Sequence, residues 1–159
     1  AYNRVVHDLG GRTPEQFKEA VSEKFEISDA SEGQPREART FGMFLDGKWY
    51  CLTPKVGTYD ADDTLASLDV AILQNNLLEP LLNIKDPKKD PRIEFVGGIR
   101  GAAELERRAT KHQGVAFYCF PTQMTQVMEI ADANEVMPPK STWVEPKLRS
   151  GLIVRSIDD

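Results

Sequence analysis

The sequence predicts an α+β fold in which a mixed β-sheet carries an antiparallel hairpin and about four helices pack on it. Three observations lead there. Asp46-Gly47 sits between two aromatic-rich runs, residues 40–45 and 48–53, and reads as a two-residue type I′ hairpin turn, whose central residues both need positive φ. Residues 67–82 form the longest run with helical apolar spacing. From Arg92 onward the patterns run strand, glycine turn, helix, strand, helix, long loop and strand. A hairpin and a strand–helix alternation in one chain argue for a mixed sheet with helices on at least one face.

Taken in order, residues 2–9 alternate loosely around Val5 and Val6 and predict a strand, which Gly10-Gly11 breaks. Thr13 then caps a helix, with Pro14 at its first position and Gln16 three residues after the cap, a capping-box pattern. Phe17, Ala20, Val21, Lys24 and Phe25 carry that helix to about Phe25, and residues 28–37 read as loop. After the hairpin, residues 55–63 are loop. Their bunched Asp60, Asp62 and Asp63 lack the spacing of a calcium site and read as a solvated run. Thr64 or Ser67 is expected to cap the long helix, whose Asp69, Gln74, Asn75, Asn76 and Glu79 read as a face toward water, or else into a cleft. Residues 85–91 are a turn-rich loop. The strand at 92–97 meets a helix from Gly101 to about His112, and residues 114–121 are a buried strand closed by Pro121. Thr122 caps a last helix, and residues 152–154 are expected to form a final strand.

The 159 residues are read as one domain, 40% hydrophobic and 28% charged, long enough to bury a core. A net charge of −5, with no basic stripe interleaved with aromatics, argues against a nucleic-acid partner. No apolar run approaches the roughly 20 residues that span a bilayer, so no membrane partner is expected. Cys51 and Cys119 lie in strand-like runs without metal spacing and read as buried free thiols, which suits a reducing cytoplasm. The chain opens at Ala1 inside a strand-like run, so it is expected to be a piece of a longer protein.

Two stretches carry candidate chemistry. Gly97 and Gly98 permit close backbone approach, the helix starting near Gly101 offers unpaired N–H groups, and Arg100 adds a fixed charge. That arrangement suits a phosphate or carboxylate, although a tight strand-to-helix turn also uses glycine for packing alone. Residues 134–152 hold Pro138, Pro139 and Pro146, which stiffen a loop bearing Lys140, Ser141, Thr142, Glu145, Lys147 and Arg149. Such side chains neutralise a phosphate, or they satisfy the backbone of a structural crossover. Glu145 or Asp69 would position a hydroxyl or a metal. His7 and His112 lie far apart in sequence, and no His–Cys or His–Glu spacing resembles a zinc site. His112 reads as a helix-end residue whose protonated form the dipole favours. No metal ligands, cofactor or catalytic residue are assigned.

Five stretches resemble one bacterial family. They are Tyr2-Asn-Arg-Val-Val, Gly42-Met-Phe-Leu-Asp-Gly-Lys-Trp-Tyr, Leu68-Asp-Val-Ala-Ile-Leu-Gln, Arg92-Ile-Glu-Phe-Val-Gly-Gly-Ile-Arg-Gly and the whole of residues 131–152. The family is domain-of-unknown-function family one thousand and fifteen, and the resemblance runs through essentially the whole chain. It implies a C-terminal fragment, because the family's members are much longer. Their N-terminal half carries a Gly-His-His-Arg motif similar to that of ParB-like proteins, some of which are free-serine kinases. Members also tend to lie beside serine-biosynthesis genes. The resemblance therefore implies a parent protein in phosphoryl transfer or phosphate hydrolysis on serine or a related phosphorylated small molecule. The motif itself is absent here, so no residue of this chain inherits a role from it. The alternative is an interaction or scaffold domain that covers the N-terminal half.

Overall fold

The computed structural model of the protein describes residues 1–142. Strand β1 (Tyr2–Val6) leads to helix α1 (Pro14–Ser22), then to strands β2 (Phe25–Ala30), β3 (Phe41–Leu45) and β4 (Lys48–Pro54). A continuous helical run follows as α2 (Asp69–Leu73), a π turn (Gln74–Leu78) and α3 (Glu79–Leu82). Strand β5 (Ile93–Gly97), a 3-10 turn (Gly98–Arg100), helix α4 (Gly101–His112), strand β6 (Val115–Cys119) and helix α5 (Met124–Asp132) complete it. Among the described residues no helix is long and apolar enough to cross a membrane. The final strand expected at 152–154 lies outside the described residues.

The six strands form one sheet in the order β2-β4-β3-β6-β1-β5, and every neighbouring pair is antiparallel. The α+β class stands, but the sheet is not mixed among the described residues. The reason is topological. β5 and β6, joined through α4, do run the same way, yet β1 lies between them and pairs antiparallel with both.

β3 and β6 are buried at every position, which sets them in the middle of a sheet covered on both faces. On one face Val6, Phe41, Met43, Leu52, Val115 and Phe117 pack against Phe17 and Val21 of α1 and Ile72, Leu73 and Leu77 of the long helix. On the other, Val5, Phe44, Val96, Ala116 and Tyr118 pack against Leu105 and Ala109 of α4. Each fully buried large side chain contributes on the order of 1.5–3 kcal/mol over leaving it in water. A smaller cluster ties Ile130 of α5 to Leu68 and Val70.

The hairpin forms as expected, with Asp46 at φ 48° and Gly47 at φ 76°. So does the capping box. The Thr13 hydroxyl accepts from the Gln16 N–H at 3.3 Å, and the Gln16 side chain accepts from the Thr13 N–H at 3.0 Å. Thr13→Ala is accordingly expected to cost about 1 kcal/mol in urea denaturation, and Thr13→Ser much less.

Three expectations are corrected. Helix α1 stops at Ser22, because Phe25 already opens β2 and pairs with Pro54. Residues 28–30, expected as loop, belong to that strand, which among the described residues is an edge strand paired with β4 alone and is largely polar. The long helix has Leu68 as its N-cap, with no side-chain cap, and its middle turn is a π turn. Pro80 follows one residue beyond it. A proline at that position removes an N–H and crowds the carbonyl four residues back, which a widened turn relieves.

Candidate functional site

The glycine turn and the described start of the proline loop each neighbour Tyr2, but on opposite faces of the sheet. Gly97 closes β5 and pairs with Tyr2. The Gly98 N–H donates to the Ala1 carbonyl at 2.9 Å, and a Cβ at Gly98 would come within 3.1 Å of the Ala1 side chain. Gly98 thus lies close against Ala1, and its donor is already engaged. Arg100 is exposed, and α4 leaves the turn toward the face that holds Leu105 and Ala109.

Lys140 lies against the opposite face. Its ammonium is 3.3 Å from the Tyr2 hydroxyl and 5.4 Å from the centre of the Phe95 ring. Ser141 is buried and donates to the Pro138 carbonyl, while its own carbonyl accepts from the Thr122 hydroxyl at 2.9 Å. Thr142 is exposed. Glu145, Lys147 and Arg149 lie outside the described residues. Thr122 does not cap α5; Gln123 does, through a reciprocal bond with Gln126.

Sequence reasoning missed the partner that the Lys140 segment meets. Arg4 is only 4% exposed, although it sits in β1 among apolar residues. Its guanidinium donates to the Tyr2 carbonyl and, at 3.0 Å, to the Lys140 carbonyl, lies 3.6 Å from the Cys119 sulfur and stacks 5.6 Å from the Phe95 ring centre. No carboxylate lies within ion-pair reach of it among the described residues, although its field is felt by Asp69. Burial of Arg4 was hidden because a strand position says nothing of what covers its face. Cys119 is buried as expected, its thiol pushed up by burial, whereas Cys51 is half-buried.

Asp69 corrects the reading of the long helix as a face toward water. It is 8% exposed, and Asn76 is 7% exposed. Both Asp69 oxygens accept from the Arg39 N–H, at 3.0 and 3.1 Å, and Asn76 donates to the Ile72 carbonyl at 3.1 Å. Gln74 is half-buried, and only Asn75 and Glu79 face water. Burial pushes the Asp69 carboxyl up to about 6, with the Arg39 N–H and the Arg39 and Arg4 charges pulling it partway back.

The second constellation joins the chain's two histidines. His7 follows β1, Glu94 lies in β5 and His112 ends α4, all on the α4 side of the sheet. The imidazole rings stack at 3.8 Å with 10° between their planes. His7 Nε2 is 2.9 Å, and His112 Nε2 3.9 Å, from Glu94 Oε1. Arg108 holds the other Glu94 oxygen at 2.5 Å and bonds Glu104 as well. Burial works against the charge on Glu94, but the Arg108 and His7 bonds outweigh it and hold the carboxyl below its ordinary value. Burial, then the neighbouring His7 and Lys111, lower His112, against the pull of Glu94 and of the helix end.

His7 and His112 line a cleft of about 760 Å³, walled by residues 8–14, the Asp46-Gly47 turn and the α4–β6 junction. The local reason is Gly114, whose missing side chain lets β6 begin directly against the Val6–His7 backbone and so sets the end of α4 beside the end of β1. Nothing in the sequence spacing announces this contact. It depends on β1 pairing with both β5 and β6.

No curated protein and no solved structure matches the chain. A protein-family model described as a protein of unknown function, DUF1015, matches residues 1–71, the part that holds β1, the hairpin and the start of the long helix. Over those residues, a little under half of the chain, the protein is similar to the DUF1015 family of proteins of unknown function.

Proposed function

We propose that this region supplies an anion- or phosphate-binding surface to a small-molecule phosphotransferase or phosphatase, working with the N-terminal half of a longer parent protein. The observation that carries the reading is the pair of cations Arg4 and Lys140 over one Phe95 ring, the first buried without a carboxylate in ion-pair reach among the described residues. Buried cations are ordinarily paired, so a phosphate or carboxylate is the natural counter-charge. In the sequence, Ser141, Thr142, Lys147 and Arg149 follow Lys140 and would add hydroxyl donors and positive charge, and Glu145 would add a carboxylate for a substrate hydroxyl. Gly97, Gly98 and Arg100 are the weaker part of the set, since the turn they form leads to α4 on the other face and the Gly98 N–H already donates to Ala1. Serine-related phosphoryl chemistry is the substrate class that the family resemblance favours.

The test is thermal denaturation of the chain with phosphoserine, serine, ADP, ATP and inorganic phosphate, with and without magnesium. A ligand at 100 times its dissociation constant adds about 2.7 kcal/mol, which moves the melting temperature by several degrees. A shift with a phosphorylated compound, weakened by salt and lost in Lys140→Gln, is the expected result. Absence of any shift sinks the anion site. The scaffold reading would then stand, favoured by the exposed Met124 and Met128 of α5 and by Val136, at 72%, 59% and 82% exposure.

A further inference from the structure

We propose that His7, Glu94 and His112 bind a divalent transition metal of borderline softness, zinc foremost, with one coordination position open to the cleft beside them. One ligand atom from each residue lies within 4.8 Å of the other two. Two imidazole nitrogens and a carboxylate oxygen are a donor set typical of catalytic zinc, which keeps a position for water or substrate, and they discriminate against magnesium, which wants oxygen alone. Three further features fit. Both histidines of the chain come to this one place from separate elements. Arg108 takes Glu94 Oε2 and leaves Oε1 toward the rings, the kind of outer contact that orients a metal-binding carboxylate. The cleft that His7 and His112 line gives an entering ion and its fourth ligand room.

Binding needs a small rearrangement and a proton balance. The two nearly parallel rings tilt so that both Nε2 lone pairs converge, which side chains exposed by 24% and 27% permit. The hydrogen between His7 Nε2 and Glu94 Oε1 is displaced by the metal. It moves to the other ring nitrogen or, if the ring was charged, to water.

Zinc and cobalt(II) serve as probes on the chain stripped with a chelator and dialysed, with zinc affinity read by competition with a chromophoric chelator. One equivalent is expected to bind, cobalt giving the visible absorption of a four- or five-coordinate site. His7→Gln and His112→Gln should each weaken zinc by about 100-fold or more, and Arg108→Gln by about 10-fold, the range seen for outer-shell contacts. Cys51→Ser and Cys119→Ser should leave affinity unchanged. Zinc should also move the imidazole NMR signals of both histidines in the unaltered chain, a readout that needs no variant. The proposal is overturned if those signals stay put under saturating zinc. It is equally overturned if a folded His7→Gln/His112→Gln variant binds zinc as tightly as the unaltered chain.

Discussion

Gly114→Ala is expected to destabilise the protein by about 3 kcal/mol or more, the upper part of the range for overpacking. A Cβ at that position would lie 1.9 Å from the Val6 carbonyl oxygen and 2.9 Å from the carbonyl carbons of Val6 and His7. These are backbone atoms of a central strand, so no rotamer change makes room. Relief requires β6 to slide from β1, where Val6 and Val115 pair, or the α4 C-terminus to move with it. Gly57→Ala provides the contrast. Gly57 has φ 82° and nothing within 4 Å of an added Cβ, so only the left-handed backbone is strained, at about 1–2 kcal/mol. Urea denaturation of both variants measures the difference. Equal costs would mean that β6 shifts freely, and the tight β1–β6 junction that places His112 beside His7 would not be a rigid one.

The parts of the fold legible in the sequence are those fixed by neighbouring residues. Thr13, Pro14 and Gln16 settle the start of α1, and Asp46-Gly47 settles the hairpin, because capping and positive φ are local demands. β2 escaped because an edge strand needs only one apolar face, and Phe25 fits helical spacing from Phe17 and Val21 as well as it fits a strand. The mixed sheet was a reasonable expectation from strand–helix–strand order. Among the described residues no parallel pair forms, because β1, some ninety residues earlier in the chain, inserts between β5 and β6, a long-range choice that no local pattern encodes.

The sites divide along the same line. Lys140 and Ser141 were visible as polar groups in a stiff loop, but their contacts with Arg4, Tyr2 and Thr122 exist only once the sheet closes. Gly97 and Gly98 read as an anion cradle, and the neighbour that Gly98 admits in the fold is Ala1, since a glycine that permits close approach does not say of what. The histidine pair was the least legible. His7 and His112 are brought together by register in two strand pairings and by the two-residue step from α4 to β6.

Asp69 carries the remaining large expectation: its ionisation destabilises the fold as pH rises from about 4 to about 6. The ordinary carboxyl value of 3.8 applies to the unfolded chain, and burial first, opposed by Arg39 and Arg4, sets about 6 in the fold. Between those values the native state holds a proton that the unfolded state has released. Stability from this group is therefore full below pH 4, falls through the window and levels off above 6, by on the order of 2–3 kcal/mol. Other carboxyls oppose the trend, Glu94 and Asp90 being held below their ordinary values by cations. The clean measurement is thus a difference between two proteins. Asp69→Asn keeps an oxygen for the Arg39 N–H but never ionises. Its stability relative to the unaltered chain should start near zero at pH 4 and rise by about 2–3 kcal/mol at pH 7.5. A difference that stays flat would mean that the carboxyl is better solvated than its burial implies. A difference that falls would mean that the Arg4 and Arg39 charges outweigh desolvation, with Asp69 serving as the counter-ion of Arg4. That result would remove the need for an outside anion there, and the proposed phosphate surface would lose the observation on which it rests.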